Sequence, residues 1–319
     1  MSAAHLRGAA RSLEWPEYRD DVIAGLTSAQ KTLPPRLFYD ARGAHLFEEI
    51  CDQPEYYLTR TELDILERRA PEIAALAGPN AVLVEYGSGA GVKVRTLLDA
   101  MDRPSTYVPV DISQEQLAAV SEAIGRSYPT LRVRPVSADY TRPFGLPVVG
   151  RGRRVAFFPG STIGNFHPAE ASAFLTRVRH TLGARGAMVL GVDRRKNAAR
   201  LHAAYNDAAG VTAQFNLNIL HRLNRDLDAN FDERRFTHRA FYNARAARVE
   251  MHLVATESHV TRVADEAIAF AAGESIWTES SYKYGRAELE ALVTAAGFRL
   301  LRVWTDPRKQ FWVGFLEAN

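Results

Sequence analysis

Short apolar runs alternate with amphipathic helical patterns through the middle of the chain. The runs predict buried strands at Ala81–Val84, Thr106–Val110, Leu131–Val136, Val155–Phe158 and Ala187–Val192. The spacing of apolar residues between them predicts helices at Val92–Met101, Gln114–Ser127 and Ala169–Leu182. Strands that alternate with helices are typical of βα units around a parallel sheet. We therefore predict a doubly wound α/β core.

The pattern changes after residue 194 and returns after residue 285. Between these points we predict two helices and then an antiparallel pair of strands, at Asn197–Ala208, Thr212–Leu227, Val249–His259 and Val260–Phe270. The end of the chain is predicted to add a helix and two strands, at Arg286–Ala296, Arg299–Trp304 and Phe311–Leu316. The fold class is thus α/β with an inserted α+β lobe. We divide the chain into a helical N-terminal segment that contributes to the substrate lobe (1–78), the core (79–193), the inserted substrate-binding lobe (194–284) and the end of the core (285–319).

Charge balance and cysteine content narrow the class of protein. The 319 residues carry 40 basic and 37 acidic side chains, with no lysine tract or aromatic–basic stripe that would indicate a nucleic-acid partner. The single cysteine, Cys51, excludes an intrachain disulfide and fits a reducing compartment. No apolar stretch approaches the ~18 residues of a membrane span, and residues 1–12 lack the apolar segment of a secretory signal. We expect a monomeric cytoplasmic enzyme without nucleic-acid or membrane partners.

A glycine-rich turn follows the first predicted strand, where a doubly wound sheet binds its ligands. The turn, residues 85–91, reads Glu-Tyr-Gly-Ser-Gly-Ala-Gly. Its spacing differs from the Gly-x-Gly-x-x-Gly that places a pyrophosphate on a helix N-terminus, which disfavours a nicotinamide dinucleotide. Asp111 ends the second strand, 26 positions after Glu85, and a carboxylate there can accept hydrogen bonds from two ribose hydroxyls. The alternative role for Asp111 is the N-cap of the following helix.

Polar residues also follow the third and fourth predicted strands. Asp139 can accept a hydrogen bond from an adenine amino group, with Tyr140 against the ring, and residues 159–165 read Pro-Gly-Ser-Thr-Ile-Gly-Asn. Four successive strand ends with this chemistry resemble the class I (Rossmann-like) S-adenosylmethionine methyltransferases. The two terminal strands resemble the hairpin that closes the sheet of that class. The nine histidines show no metal-binding spacing, so we expect no metal.

Longer motifs narrow the resemblance to one family. Residues 33–40 (LPPRLFYD), 54–62 (PEYYLTRTE), 160–165 (GSTIGN), 205–212 (YNDAAGVT) and 278–283 (TESSYK) are similar to the L-histidine Nα-methyltransferases of ergothioneine biosynthesis. The similarity extends from about residue 20 to the end of the chain. It implies three methyl transfers from S-adenosylmethionine to the α-amine of histidine, which give the trimethylated betaine hercynine.

The resemblance also implies which residues form the two binding sites. The cofactor would be contacted by Gly87, Lys93, Asp111, Asp139 and Tyr140. Histidine would be contacted by Tyr56, Asn165, Tyr205, Met251, Glu279 and Ser281, with Tyr39 nearby. Lys93 would lie in the first turn of a helix, where the helix dipole disfavours a cation, and a cofactor carboxylate would offset this.

Elementary chemistry supports these substrate assignments. Asn165 and Tyr205 can donate hydrogen bonds to a carboxylate, and Met251 can pack on the imidazole face. Glu279 can accept from one imidazole N–H and Ser281 can pair with the other ring nitrogen. A buried polar partner left unpaired costs ~1–3 kcal/mol, so these last two residues should carry specificity.

The roles of two tyrosines and the identity of the general base each have more than one interpretation. The faces of Tyr39 and Tyr56 can stabilise a quaternary ammonium by ~0.5–2 kcal/mol, or the rings can serve ordinary packing. The residues offer no obvious general base, and Tyr39 and bulk water are the candidates. The alternatives to a histidine methyltransferase are a methyltransferase of the same fold that acts on another amino acid or amine, a nicotinamide oxidoreductase and a non-catalytic binding or regulatory module.

Overall fold

The computed structural model describes residues 16–147, 150 and 152–319, and these form strands, α-helices and short 3₁₀ turns. The strands are β1 (Lys31–Thr32), β2 (Val82–Tyr86), β3 (Thr106–Asp111), β4 (Arg132–Val133), β5 (Val136–Ser137), β6 (Arg154–Phe158), β7 (Ala187–Asp193), β8 (Phe236–Asn243), β9 (Arg248–Ala255), β10 (His259–Val263), β11 (Glu266–Phe270), β12 (Ser275–Tyr282), β13 (Phe298–Thr305) and β14 (Phe311–Ala318). The helices are α1 (Arg19–Thr27), α2 (Ala41–Asp52), α3 (Tyr57–Ala77), α4 (Val92–Ala100), α5 (Gln114–Ser127), α6 (Pro168–Leu182), α7 (Ala198–Ala204), α8 (Val211–Asp226) and α9 (Arg286–Ala295). Residues 1–12, where the sequence predicts no secretory signal, lie outside the described ranges.

The larger sheet has eight strands and confirms the predicted core. Its order is β13-β14-β7-β6-β2-β3-β4, and β5 also pairs with β3. Strands β2 to β7 pair in parallel, whereas β14 is antiparallel to both β7 and β13. The chain order reverses between β2 and β6. Ligands of doubly wound sheets bind at the carboxyl ends of the strands beside such a reversal.

The third strand differs from its prediction. A continuous strand over Leu131–Val136 was expected, but two short pieces, β4 and β5, pair with β3 on either side of residues 134 and 135. Pro135 lacks a backbone N–H and cannot donate to the ladder, so the strand breaks there. The end of β5 still lies beside Asp111, because Ser137 is the partner of Asp111 in the ladder.

Two hydrophobic cores cover the two faces of this sheet. On one face, α6 and α9 bury Phe174, Leu175 and Val293 against the strands. On the other face, α3 lies across the sheet, and its core continues without a break into residues of α2, α8 and β9. The shared core joins the sheet to the rest of the described chain.

A second sheet of four strands, in the order β1-β12-β9-β8, stands beside the first. It corrects the predicted strand pair, because residues 249–259 do not pair with 260–270. Instead β9 is flanked by β8 and β12, while β10 and β11 form a separate hairpin. Strands over 236–243 and 275–282 were not predicted. Three strands come from the predicted inserted lobe and β1 from the N-terminal segment.

Helix α7 is shorter than the predicted helix Asn197–Ala208 and ends at Ala204. The Asp207 carboxylate accepts hydrogen bonds from the backbone N–H groups of Val211 and Thr212 and so begins the next helix. Within the described ranges, every helix is too short or too polar to cross a membrane.

Candidate active site

A cavity opens between the second sheet, α8 and the carboxyl ends of the first sheet. It collects all seven residues predicted around histidine: Tyr39, Tyr56, Asn165, Tyr205, Met251, Glu279 and Ser281. They come from six separate segments of the chain. The structure brings them together, and their roles toward a ligand remain predictions.

A β-bulge directs two of these residues into the cavity. In β12, Trp277 pairs with His252, and the next ladder residue, Glu279, pairs with Met251, so Thr278 is an extra residue. The rings of Trp277 and His252 stack on the outer face of the sheet, 5.9 Å apart. A bulge shifts the alternation of side chains by one, so Glu279 and Ser281 share the opposite, cavity face with Met251.

Buried polar groups hold the bulge in place. The Thr278 hydroxyl lies 2.7 Å from Oδ1 of Asn216 and 3.0 Å from the carbonyl oxygen of Met251. Asn216, on α8, is fully buried, and its amide donates to the carbonyl oxygen of His252 at 3.0 Å. The helix therefore anchors both strands at the point where the ladder becomes irregular.

The Glu279 carboxyl is the acidic group of the cavity. Burial raises its pKa to about 7, while Lys283 and a hydrogen bond with Asn165 act in the opposite direction. The carboxyl therefore changes charge near neutral pH, and above that range it is an ionised acceptor for an N–H group.

Four aromatic rings form one wall of the cavity. Phe47 contacts Tyr39 and Tyr56 edge-on, with ring centroids 5.8 and 6.3 Å apart. Phe215 lies 5.8 Å from Tyr39. Phe47 and Phe215 were not predicted as site residues, because apolar positions on amphipathic helices are ordinarily core. Ring faces on several sides suit an alkylated ammonium group.

The pKa of Tyr39 is too high for its phenol to be ionised and to act as a general base. Burial, reinforced by the charge of Glu279, raises its pKa well above the ordinary value. The phenol therefore keeps its proton at physiological pH. Tyr39 can offer its ring and its oxygen, and we retain it as part of the aromatic wall and not as the proton acceptor.

Tyr205 and Ser281 share a hydrogen-bond network with a buried lysine. The Tyr205 hydroxyl donates to Ser281 Oγ at 2.7 Å. The ammonium of Lys283 donates to both oxygens, at 2.8 and 2.9 Å, and forms an ion pair with Asp193 at 3.0 Å. The predicted donation from Tyr205 to a carboxylate requires its hydrogen to turn away from Ser281. Lys283 stands in a motif that carried the family resemblance, but no role was predicted for it.

The glycine-rich turn connects β2 to α4 at the edge of the reversal. Gly87, Gly89 and Gly91 all have positive φ angles, of 74°, 46° and 68°, which glycine adopts without strain. The N–H of Gly89 points to the Asp111 carboxylate at 3.5 Å. The N-cap of α5 is Ser113 and not Asp111, so the alternative role for Asp111 is excluded.

Asp139 and Tyr140 lie at the same edge of the sheet. A Cβ atom on Gly87 would be 3.7 Å from the Tyr140 ring, so the ring covers the start of the turn. The Asp139 carboxylate accepts from the backbone N–H and hydroxyl of Thr141, at 2.9 and 2.5 Å. Asp111 and Asp139 thus flank the turn with acceptors, as an adenosine with its hydroxyl and amino donors requires.

Lys93 has a partner that was not predicted. Its ammonium pairs with Glu62 at 2.6 Å, and the same carboxylate oxygen accepts from the N–H of Gly160 at 2.8 Å. Glu62 is buried on the apolar face of α3, beside Leu58 and Ile65. A charged residue in that helical pattern was the available signal. Lys93 lies beside the carboxyl end of β6, so a cation, two acceptors and an open glycine turn fit an adenosyl amino acid.

The strand order and these strand ends define the class of protein. This chain has the fold of the S-adenosylmethionine-dependent methyltransferases, as the sequence predicted. A solved S-adenosylmethionine-dependent methyltransferase from Clostridium acetobutylicum ATCC 824 superposes with a TM-score of 0.50 at 12% identity, covering 86% of this chain and 98% of that one. Among the described residues, no cluster of three or more histidine, cysteine or acidic side chains could hold a metal ion.

Residues 18–318 match the family of S-adenosylmethionine-dependent, histidine-specific methyltransferases, and the chain belongs to this family. It is 45% identical over 299 residues to the histidine N-alpha-methyltransferase of Mycolicibacterium smegmatis, covering 92% of each chain. It is 40% identical over 298 residues to the protein of the same name from Mycobacterium tuberculosis, again over 92% of each. The chain is therefore an N-methyltransferase that uses S-adenosylmethionine.

Proposed function

We propose that this enzyme methylates the α-amine of L-histidine three times and releases hercynine, in the first step of ergothioneine biosynthesis. The observation that carries the proposal is the pairing of Glu279 and Ser281 on the cavity face of β12, beside Met251. A carboxylate and a hydroxyl on one strand face suit the two nitrogens of an imidazole.

Each polar group of the amino acid has a partner in this proposal. Glu279 accepts the ring N–H, Ser281 faces the other ring nitrogen, and Met251 packs on the ring. Asn165 is the donor that we assign to the α-carboxylate, and the Tyr205 hydroxyl donates its hydrogen to Ser281. The amine then lies between the aromatic wall and the edge of the first sheet, where Gly160 lines both the cavity and the Lys93 site.

The residues contribute mainly by positioning. S-adenosylmethionine, when bound, supplies a methyl group on a cationic sulfur that leaves without acid assistance. Gly87, Asp111, Asp139 and Tyr140 would hold its adenosine, and Lys93 its carboxylate. The protein orients the neutral amine and keeps water away from it, and holding two reactants in line is a large part of such a rate enhancement.

The amine must lose a proton before the first and each later attack. Tyr39 keeps its own proton, because burial raises its pKa. We infer that solvent takes the proton before the amine closes against the aromatic wall. The rings of Tyr39, Tyr56, Phe47 and Phe215 then stabilise the growing positive charge of the methylated amine, by ~0.5–2 kcal/mol for each well-placed face.

Mass spectrometry of L-histidine incubated with the enzyme and S-adenosylmethionine tests the proposal. We expect a mass gain of three methyl groups, confined to the α-nitrogen by fragmentation. A panel of other α-amino acids and biogenic amines serves as the comparison. Methylation of another amine in preference to histidine, or of a ring nitrogen, would overturn it.

We also propose that the enzyme acts as a monomer in the cytoplasm. The single cysteine suits a reducing compartment. Light scattering at working concentration tests the first statement and cell fractionation the second. A dimer in solution, or recovery outside the cytosol, would contradict them.

A further inference from the structure

Lys283 is one of the largest completely buried side chains in the described part of the chain, yet it carries a full charge. It follows Ser281 by two residues and leaves β12 toward the first sheet. Its ammonium has three N–H groups, and each has a partner: Asp193, Tyr205 and Ser281. A lysine has no acceptor, so this hydrogen-bond set is complete.

A small ionic cluster keeps Lys283 charged. Asp193, at the end of β7, also pairs with Lys196 and accepts a hydrogen bond from the hydroxyl of Tyr57 at 2.7 Å. Burial by itself would lower the pKa of Lys283, but the oxygens of Tyr205 and Asp193 outweigh burial and raise it. Lys283 is therefore a permanent donor behind the cavity wall.

Lys283 and the Tyr205 hydroxyl together set the direction of the Ser281 hydroxyl. A serine hydroxyl has one hydrogen and two acceptor positions. On Ser281, Lys283 fills one acceptor position and the Tyr205 hydroxyl fills the other. Only the hydrogen of Ser281 remains, and Ser281 lines the cavity. Without the lysine, Ser281 could equally well accept a hydrogen bond from a ligand.

We propose that Lys283 is a specificity-determining positioning residue, which makes Ser281 a pure hydrogen-bond donor toward the substrate ring. The ring atom opposite Ser281 must then carry a lone pair, while Glu279, on the same strand face, requires an N–H. Neutral imidazole has both features. Imidazolium has two donors and no acceptor, and pyrrole has an N–H and no lone pair, so both are rejected. This inference rests on the proposed histidine substrate.

Two ring analogues test the inference with the intact enzyme. β-(Pyrrol-2-yl)-L-alanine and β-(pyrrol-3-yl)-L-alanine keep the shape of histidine and the N–H at one or the other position, but lack the second nitrogen. We expect the wild-type enzyme to favour histidine over the better pyrrole by about tenfold to a hundredfold in kcat/KM, because the Ser281 hydrogen is left unpaired. In Lys283→Met the hydroxyl pair can reorganise, so the preference should fall to about threefold or less, with the loss on histidine chiefly in KM.

The matched control is Lys196→Met, which removes the other cation of Asp193 without touching Tyr205 or Ser281. It should keep the wild-type preference. Ser281→Ala should lose the preference as Lys283→Met does, and it provides a second measurement if the buried lysine is needed for folding. Thermal stabilisation by S-adenosylhomocysteine reports that each variant is folded.

Three results would overturn the inference: a wild-type enzyme that uses histidine and pyrrole equally, a Lys283→Met variant that keeps the preference, or equal loss in Lys196→Met. The last would show that Asp193 needs both cations for structure alone. A wild-type enzyme that does not methylate histidine would instead refute the proposed function, and the two failures are thus distinguishable.

Discussion

Replacing Glu279 by glutamine is the most direct test of how the cavity recognises its ligand. The substitution preserves the shape of the side chain and removes the charge. A hydrogen bond to a charged group contributes about 1.5–3 kcal/mol and one between neutral groups about 0.5–1.5 kcal/mol, a difference of about 1–1.5 kcal/mol. Since 1.4 kcal/mol corresponds to a factor of ten, we expect kcat/KM for histidine to fall by about tenfold.

The pH dependence provides a second, independent measurement on the same variant. Burial raises the pKa of Glu279 to about 7, so its carboxylate is lost as the pH falls through 7. The imidazole of histidine, with its pKa of about 6.5, and the amine titrate equally in both enzymes. In a plot of log kcat/KM against pH, the slope on the acid side should therefore be larger by one for the wild-type enzyme than for Glu279→Gln.

Affinity for S-adenosylhomocysteine, measured by calorimetry, is the internal control, because the residues assigned to the cofactor lie on the other sheet. Glu274→Gln is the matched variant. It removes the same charge just before β12, where Glu274 pairs with Lys31 outside the cavity lining. Equal losses for histidine and S-adenosylhomocysteine in Glu279→Gln, or an acid limb of unchanged steepness, would refute the assigned role.

Three further predictions concern the cofactor edge, the aromatic wall and a buried acid. Asp111→Asn should weaken S-adenosylhomocysteine binding in calorimetry by about tenfold, with histidine KM nearly unchanged, because a charged acceptor for the ribose is lost; unchanged binding would contradict the site. Phe47→Leu should make mono- and dimethylated histidine accumulate in mass spectra, since a ring face beside the cation contributes ~0.5–2 kcal/mol; clean trimethylation would count against the wall. Burial raises the pKa of Glu85 to about 8 in the folded protein, from about 4.5 in the unfolded chain. The stability that this carboxyl contributes at low pH is therefore lost as the pH rises from about 4.5 through 8. Glu85→Gln should therefore flatten the melting temperature between pH 5 and 9, and an unchanged slope would refute this.

The core of the fold could be predicted because its signals are local. Most strands of the first sheet are short apolar runs, and the helices that alternate with them have their own periodicity. The positions of these elements can therefore be predicted without knowing their partners. The exception, the split after Val133, follows from a single proline that removes a ladder donor.

The second sheet could not be predicted in the same way, because its pairing is not local. β9 reads as a strand in isolation, but its partners begin at residues 236 and 275. β12 is rich in Thr, Ser and Glu, which do not indicate a buried strand. Sequence alone therefore favours the nearest apolar segment, 260–270, as the partner.

The residues of the candidate site also differ in whether the sequence alone could reveal them. Motif resemblance gathered the seven residues around one cavity, and the acidic residues at strand ends followed from sheet geometry. Lys283 and Glu62 were missed as participants because their partners lie far away in the sequence. Asp193 is 90 positions from Lys283, and Gly160 is 98 positions from Glu62. A sequence pattern cannot show that a charge is neutralised at such a distance.

The bulge at Thr278 decides which side chains of β12 face the cavity, because two alternations of its side chains are possible. In the observed register Glu279 pairs with Met251, and Glu279 and Ser281 line the cavity. In a strand without the bulge, Thr278 would pair with Met251, and Glu279 and Ser281 would lie on the outer face beside Trp277. The length of the strand therefore specifies the ligand as much as its composition does. One residue inserted or removed after the bulge would exchange the side chains that β12 presents to the cavity at once. An insertion or deletion in β12 therefore changes the chemical groups that line the cavity, even where the neighbouring residues stay the same.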